Sequence, residues 1–409
     1  MSTDLKGSSS HPLPQATQKF LLFILAAVQF SHILDFMLIM PLGPRLMREL
    51  EISPQQFGLL VSAYTLSACG MGIVGALGID RFDRKNAFLL IYAGFTLGTV
   101  LCGMANSFET LLLARSVAGG FGGILTALTL AIVGDSFPEH KRGAAMGILM
   151  SSFSLASVLG VPTGLWIANH WSWQAPFLFL GGVSALLFAL ALYIMPSMKS
   201  HLVAIHKKNA FKELIEVAFA PASLKAFLFT IVLMGSGFLL IPYLSTHLVA
   251  NVKIKETELP YVYLFGGFAT LISSPIVGKI SDKFGKPRVF VIASIISTVP
   301  ILAVSHLQQV PLGFALCITS LFMVANTARM IPAQTMLTAT VEPAHRGSFM
   351  SLNGSFQSLA TGLGALLSGA ILVPGSEGSL LNYNIVGMIA AVALVVSIFL
   401  SRTLKPASA

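Results

Sequence analysis

Asp35, Arg115 and Arg329 are the residues of this chain whose type and placement point to chemistry. Of sixteen Asp and Glu residues, fifteen fall in polar tails, in loops or at the ends of apolar runs, and Asp35 is the exception. Of twenty-five Lys and Arg residues, only Arg115 and Arg329 lie inside such runs. If those runs cross lipid, each ionised group costs at least ~2.5–3.5 kcal/mol on insertion scales and calls for an account.

Asp35 lies six residues before Pro41, and Arg115 lies six residues after Glu109. If Pro41 and Glu109 mark the same edge of the apolar layer, both charges sit ~9 Å inside it at ~1.5 Å per helical residue. Equal depth and opposite charge make them partners, provided their segments face one space. A carboxylate there takes up a proton when burial disfavours its charged form, and releases it when an arginine approaches or water enters. That is proton-coupling chemistry. The competing reading is a permanent ion pair joining two helices. His32 sits one helical turn from Asp35 on the same face, and Gln29 extends the polar stripe by another turn. His32 reads equally as a hydrogen-bonding packing residue.

Arg329 occurs in Asn326-Thr327-Ala328-Arg329-Met330-Ile331-Pro332, ~27 Å along its run if that run is helical from Pro311. Pro332 frees a carbonyl one turn back, so the guanidinium either bonds local backbone or acts as a cavity cation for an anionic substrate group. No carboxylate in the second half is placed to neutralise it. Gln29, Met37, Tyr64, Tyr243, Asn326 and Arg329 are the candidates to line a cavity, Met37 because a flexible thioether adapts to varied shapes. Packing explains the aromatics and Met37 equally well.

These residues must be positioned by membrane spans. The 409 residues are 55% hydrophobic and only 10% charged, far from the composition of a soluble domain. Twelve apolar stretches have the roughly 20 residues needed to cross a bilayer. They are expected at 18–41, 55–79, 86–106, 109–134, 143–168, 174–195, 225–249, 260–280, 288–306, 311–338, 347–373 and 382–402. Residues 1–17 form a polar tail without the features of a cleaved signal peptide, so the first span is expected in the mature protein. Nineteen of the twenty-five Lys and Arg residues fall in the tails and in the loops after even-numbered spans, which places both termini in the cytoplasm. The net charge of +9 is thereby accounted for by orientation, without a nucleic-acid partner. Cys69, Cys102 and Cys317 lie inside apolar runs and imply neither disulfides nor a metal site. No nucleotide-binding glycine loop, metal-ligand cluster or nucleophile–base arrangement suggests an enzyme or a bound cofactor.

The chain is also duplicated. Asp80-Arg81-Phe82-Asp83-Arg84-Lys85 returns 202 residues later as Asp282-Lys283-Phe284-Gly285-Lys286-Pro287-Arg288, and Arg142-Gly143 returns as Arg346-Gly347 at an offset of 204. Two echoes in one register indicate an internal repeat. The domains expected are a tail at 1–17, a six-helix bundle at 18–195, a cytoplasmic linker at 196–224, a second bundle at 225–402 and a tail at 403–409. In the linker, His206-Lys207-Lys208 leads into Phe211-Lys212-Glu213-Leu214-Ile215-Glu216-Val217, apolar on one helical face and expected to lie on the membrane surface. Gly119-Gly120-Phe121-Gly122-Gly123 suits close helix packing, and Gly160, Pro162 and Gly164 suit a bend.

With these features the chain resembles the major facilitator superfamily over residues 18–402. Gly278 to Arg288 fits that family's loop signature, and Asp80 to Lys85 fits its first copy, with Asp83 where a glycine is usual. Arg115 with Gly119 resembles the fourth-span signature of proton-coupled members. Gly160-Val161-Pro162-Thr163-Gly164 resembles the fifth-span signature of antiporters, and Trp171-Ser172-Trp173 the loop before span six in the twelve-span drug/proton branch. The resemblance implies an all-α membrane fold of two pseudo-symmetric six-helix bundles. It implies a monomer of a bacterial-type inner membrane that alternates access to a small organic molecule. Proton-driven efflux is the leading expectation, with Asp35, Arg115 and His32 coupling the proton. Facilitated or symported movement of an organic anion through Arg329 is the alternative, and a non-transporting receptor or assembly subunit the minor one. Asp80, Arg84, Asp135, Asp282 and Arg288 are implied to latch the cytoplasmic side.

Overall fold

Apolar stretches of this length have one open-chain solution in lipid: helices, which bond every backbone N–H and C=O internally. The computed structural model describes residues 15–78, 81–198, 210–342, 345–375 and 378–407. The chain runs through α1 (Gln15–Leu38), the short α2 (Gly43–Glu49), α3 (Pro54–Gly78), α4 (Arg84–Met104), α5 (Phe108–Ser136), α6 (Glu139–Leu155), α7 (Val161–His170) and α8 (Ala175–Ile194). The linker helix α9 (Ala210–Phe219) follows. Then come α10 (Pro221–Phe238), α11 (Leu244–Ala250), α12 (Leu259–Phe284), α13 (Lys286–Ser305), α14 (Leu312–Ala339), α15 (Arg346–Ile371) and α16 (Tyr383–Ser401). Between α15 and α16, β1 (Val373–Pro374) pairs antiparallel with β2 (Leu380–Leu381), Val373 opposite Leu381.

Among the described residues, eleven spans are long and apolar enough to cross a membrane. The remaining one, α15, has the length but carries Ser351, Asn353, Ser355, Gln357, Ser358, Thr361 and Ser368. It packs against α3 and α10, and Asn353, Ser355, Thr361 and Ser368 are buried there, so protein rather than lipid surrounds its polar face. A purely compositional count overstates how apolar this span is.

Among the described residues, two spans are interrupted, both at prolines. A π turn over Ala156–Gly160 joins α6 to α7 just before Pro162, the device by which a helix absorbs a residue that cannot donate. The expected continuous seventh span breaks after α10 at Leu239, continues as a 3₁₀ turn Ile241–Tyr243 containing Pro242, and resumes as α11. The first span ends at Leu38 rather than at 41.

One face of the bundle carries the connections after α3 and α8 and the last described residues: Arg84 N donates to Met198 O at 3.3 Å, and Ala407 N to Ala339 O at 2.9 Å. We call it the terminal face, and the opposite one the loop face. Part of the apolar side of α9 packs on protein, while Ile215 and Phe219 stay exposed. Leu214 and Val217 are buried, the helix packs on α15, α10 and α3, and Ser348 donates to Glu213 at 3.1 Å. His206, Lys207 and Lys208 lie outside the described residues.

Candidate functional site

A capping box starts α5: Ser107 Oγ accepts from Thr110 N at 3.3 Å, and Thr110 Oγ1 accepts from Ser107 N at 3.1 Å. This fixes the phase of the helix and turns Arg115, two turns later, inward. Close approach of α5 to α3 depends on glycine, since a Cβ built at Gly119 would lie 2.1 Å from Tyr64 O.

Arg115 Nη1 donates to Asp35 Oδ2 at 2.9 Å and to Asp35 O at 3.2 Å, and both side chains are 0% exposed. The guanidinium lies over the Tyr64 ring, 4.3 Å from its centroid. Asp35 Oδ1, Arg115 Nε and Arg115 Nη2 are buried without a hydrogen bond. Thr99 and Cys102 of α4 are close enough to interact with Asp35 and Arg115, yet neither closes a bond of ordinary geometry. The pair is thus fully enclosed but incompletely satisfied.

His32 does not complete this pair. Its ring lies between Phe95 at 5.7 Å and Tyr64 at 6.2 Å, with Nδ1 3.5 Å from Thr126 Oγ1. A Cβ at Gly122 would meet both His32 Nε2 and Tyr64 Oη at 2.7 Å, so these two polar atoms converge on that glycine. Tyr64, read from sequence only as a cavity candidate, stands between the histidine and the arginine. Gln29 is buried, its Oε1 unpartnered. Met37 Sδ lies 3.8 Å from Ser157 Oγ, beside the π turn.

Phe36, next to Asp35, meets Tyr64 at 5.6 Å on one side and Phe238 of α10, in the other half, at 6.1 Å on the other. Neither phenylalanine was a sequence candidate, because an aromatic among many in an apolar run carries no signal of its own. Beyond Phe238, a Cβ at Gly237 would lie 3.2 Å from Asn326 Oδ1 and 3.3 Å from Arg329 Nη2. Arg329 is 1% exposed, its Nη2 donates to Asn326 Oδ1 at 2.7 Å, and Nε and Nη1 have no hydrogen bond. The carbonyls freed by Pro332 are not its partners.

Tyr243 is not free to line a cavity: it is buried edge-on against Phe57, and its hydroxyl donates to Pro54 O at 2.7 Å across the two halves. Other links between halves cluster at this loop face. Arg48 forms a two-pronged ion pair with Glu256, and Asn169 Nδ2 donates to Glu256 O at 3.4 Å. Arg48, Glu256 and the Pro54 carbonyl escaped sequence reasoning because loop charges on opposite halves give no spacing to read.

At the terminal face, Arg84 Nε donates to Asp135 Oδ2 at 2.9 Å, within the first half. Asp282, at the end of α12, pairs with Lys286, at the start of α13, at 2.7 Å across Gly285, while Arg288 is exposed, so the second loop does not reproduce the Arg84–Asp135 arrangement. Asp80 lies outside the described residues. Asp83, the departure from the usual glycine, caps α4 by accepting from Lys85 N at 2.9 Å, and it also accepts from Met198 N at 3.0 Å. In the bend candidate, Gly160 and Gly164 face Leu34 and Leu38 of α1, while Pro162 follows the π turn.

Known proteins match this arrangement. The family model of the Major Facilitator Superfamily matches residues 25–242 and again 226–409. The inner membrane transport protein YdhP of Escherichia coli is 25% identical over 373 residues, covering 90% of this chain and 92% of that protein. The multidrug resistance protein MdtG of Salmonella schwarzengrund is 27% identical over 353 residues, covering 82% and 84%. Among solved structures, a bacterial homologue of the human lysosomal transporter Spinster, in an inward-facing and unoccupied conformation, superposes with a TM-score of 0.75 at 20% identity, covering 96% of this chain and 98% of that one. Two bundles of helices, meeting along α3 and α15 around buried charges and matched in both halves by one family model, make this chain a member of the major facilitator superfamily.

Proposed function

We propose that this transporter exports a small organic molecule in exchange for protons. Asp35 carries the proton, Arg115 holds the deprotonated carboxylate, and Tyr64 and His32 line the path beside them. The observation that carries the reading is the buried Asp35–Arg115 pair with three of its polar atoms unsatisfied. A purely structural ion pair needs those atoms bonded to offset the desolvation of two charges. A pair that must exchange a proton, with the arginine already stacked on Tyr64, works with them open. The proton gradient is the energy source, no cofactor is needed, and the protein acts as a monomer. The relatives named for multidrug resistance and inner-membrane transport support export from a bacterial inner membrane.

With the Lys/Arg-rich tails and loops in the cytoplasm, the loop face closed by Arg48–Glu256 and Tyr243–Pro54 is the external one. The external side is then the closed one, and opening those contacts is the outward step of alternating access.

The test is proton release or uptake by purified protein in proteoliposomes on addition of a chemically diverse panel of compounds, comparing wild type with Asp35→Asn. Proton release by the wild type alone supports antiport through Asp35. An undiminished signal in Asp35→Asn sinks the assignment.

A second reading, facilitated movement or symport of an organic anion, is favoured by the unneutralised Arg329. Counterflow that persists without a pH gradient and disappears in Arg329→Ala would select it.

A further inference from the structure

The sequence after the linker holds Glu256, Glu258, Asp282, Glu342 and Glu377; the first four lie in connections or at helix ends, and Glu377 lies outside the described residues, in a polar stretch of the sequence. Arg329 therefore has no acid at its depth in its own half. A guanidinium does not give up its proton in a protein, so burial cannot neutralise it as it neutralises a carboxylate. Asn326 accepts one of its five donors, and Nε and Nη1 remain open. The positive charge is also placed rather than merely tolerated. It lies against the backbone of Gly237, one residue from Phe238, whose ring crosses to Phe36 of the other half at 6.1 Å. Phe36 and Phe238 are both half-buried.

We infer that Arg329 and Asn326 form the anion-binding end of the substrate site, and that the substrate is an organic monoanion whose apolar, ring-sized body lies against Phe36 and Phe238. The inference rests on the transporter reading and deepens it, and it holds for either direction of movement. One guanidinium without a second base beside it matches one negative charge, and its open donors suit a carboxylate or sulfonate. The rings contribute apolar and stacking contact without selecting one scaffold. Because Phe36 follows Asp35 in α1, a body seated on that ring presses on the helix that carries the proton. The anion thus enters the C-terminal half while its body touches the N-terminal half, which is how one ligand can bridge two moving bundles.

The probes are 2-naphthoate and its neutral amide, 2-naphthamide, measured by equilibrium binding to the full-length protein in lipid nanodiscs. Wild type is expected to prefer naphthoate by about tenfold or more, the scale of one charge-assisted contact. Arg329→Gln should erase the preference, Arg329→Lys should keep part of it, and Phe238→Ala should weaken both probes alike. Should Arg329→Gln fail to reconstitute, Gly237→Ala serves. Its added carbon would crowd Asn326 Oδ1 at 3.2 Å and Arg329 Nη2 at 3.3 Å and lower naphthoate affinity selectively. Equal binding of the two probes to wild type, no naphthoate binding at all, or a preference that survives in Arg329→Gln overturns the inference. Proton release on adding naphthoate, read in the same samples, separates the two proposals. Naphthoate preference with no proton signal sinks antiport and leaves the anion site standing. Proton release with no naphthoate preference does the reverse.

Discussion

Arg48 donates from both terminal nitrogens to the two carboxylate oxygens of Glu256, 208 residues away in the other half, with Nη2 3.1 Å from Oε2. The hydrogen bonds that Arg48 donates to Glu256 raise the pKa of the guanidinium further, so the arginine side of this link does not titrate. Arg48 is 59% exposed, however, and pairs this exposed contribute only ~0.2–1 kcal/mol. The buried Tyr243 hydroxyl on Pro54 O adds ~0.5–1.5 kcal/mol. Glu256→Gln alone should therefore shift the balance between closed and open loop faces by no more than ~5-fold, and together with Tyr243→Phe by roughly tenfold. Spin labels at positions 49 and 255, in a background lacking the three cysteines, read the separation. A distance distribution unchanged in the double variant would show that apolar packing alone holds this face shut.

Removing one member of a buried ion pair strands the other. Arg115→Gln should cost ~3–5 kcal/mol of stability at neutral pH, because Asp35 would remain enclosed without its partner. The double variant Asp35→Asn with Arg115→Gln should recover much of that loss. Thermal unfolding of the purified proteins checks it, and a double variant no more stable than Arg115→Gln would contradict the charge argument.

Glycines of α5 divide by their neighbours. A Cβ at Gly119 would lie 2.1 Å from Tyr64 O and one at Gly123 2.3 Å from Ala68 O, both backbone atoms that cannot turn aside, whereas Gly134 has nothing within 4 Å. Gly119→Ala and Gly123→Ala should each cost ~1–3 kcal/mol or more, while Gly134→Ala is neutral or stabilising by up to ~1 kcal/mol. Melting temperatures of the three variants decide, and equal effects would refute the close α3–α5 approach.

Asp83→Gly restores the residue usual in the family loop but removes the cap on α4 and the tie to Met198 N. Loss of ~0.5–2 kcal/mol is expected, as for other helix caps. Hydrogen exchange at the Lys85 and Met198 amides should quicken together. Quickening at Lys85 alone would show that the second bond contributes nothing.

Much of the fold was legible because lipid restricts the backbone to so few solutions: run length located the spans, and the two echoed loops exposed the duplication. Within the site, Asp35 and Arg115 could be paired from depth alone, since one rise per residue converts sequence distance into position along the membrane normal. Position around a helix and contact between halves do not follow from depth. Hence His32, correctly placed one turn from Asp35, turned out to sit among Phe95, Tyr64 and Thr126 instead of bonding the carboxylate. Tyr243 looked like a cavity residue for the same reason, although its hydroxyl locks onto Pro54 O.

From the sequence alone follow a membrane-embedded duplicated bundle and, inside its apolar runs, one acid and two arginines with the depth of each, because desolvation makes such charges conspicuous; Asp83 and Arg84, buried at the terminal face, lie between two apolar runs and carry no such signal. Only the tertiary structure decided what those charges touch. Arg115 is paired and stacked on Tyr64, Arg329 keeps open donors beside Gly237, and Phe36 and Phe238 join the two sites across the halves. The physical reason is that helix–helix contacts form between residues far apart in the chain, through packing that gives apolar side chains no individual signature.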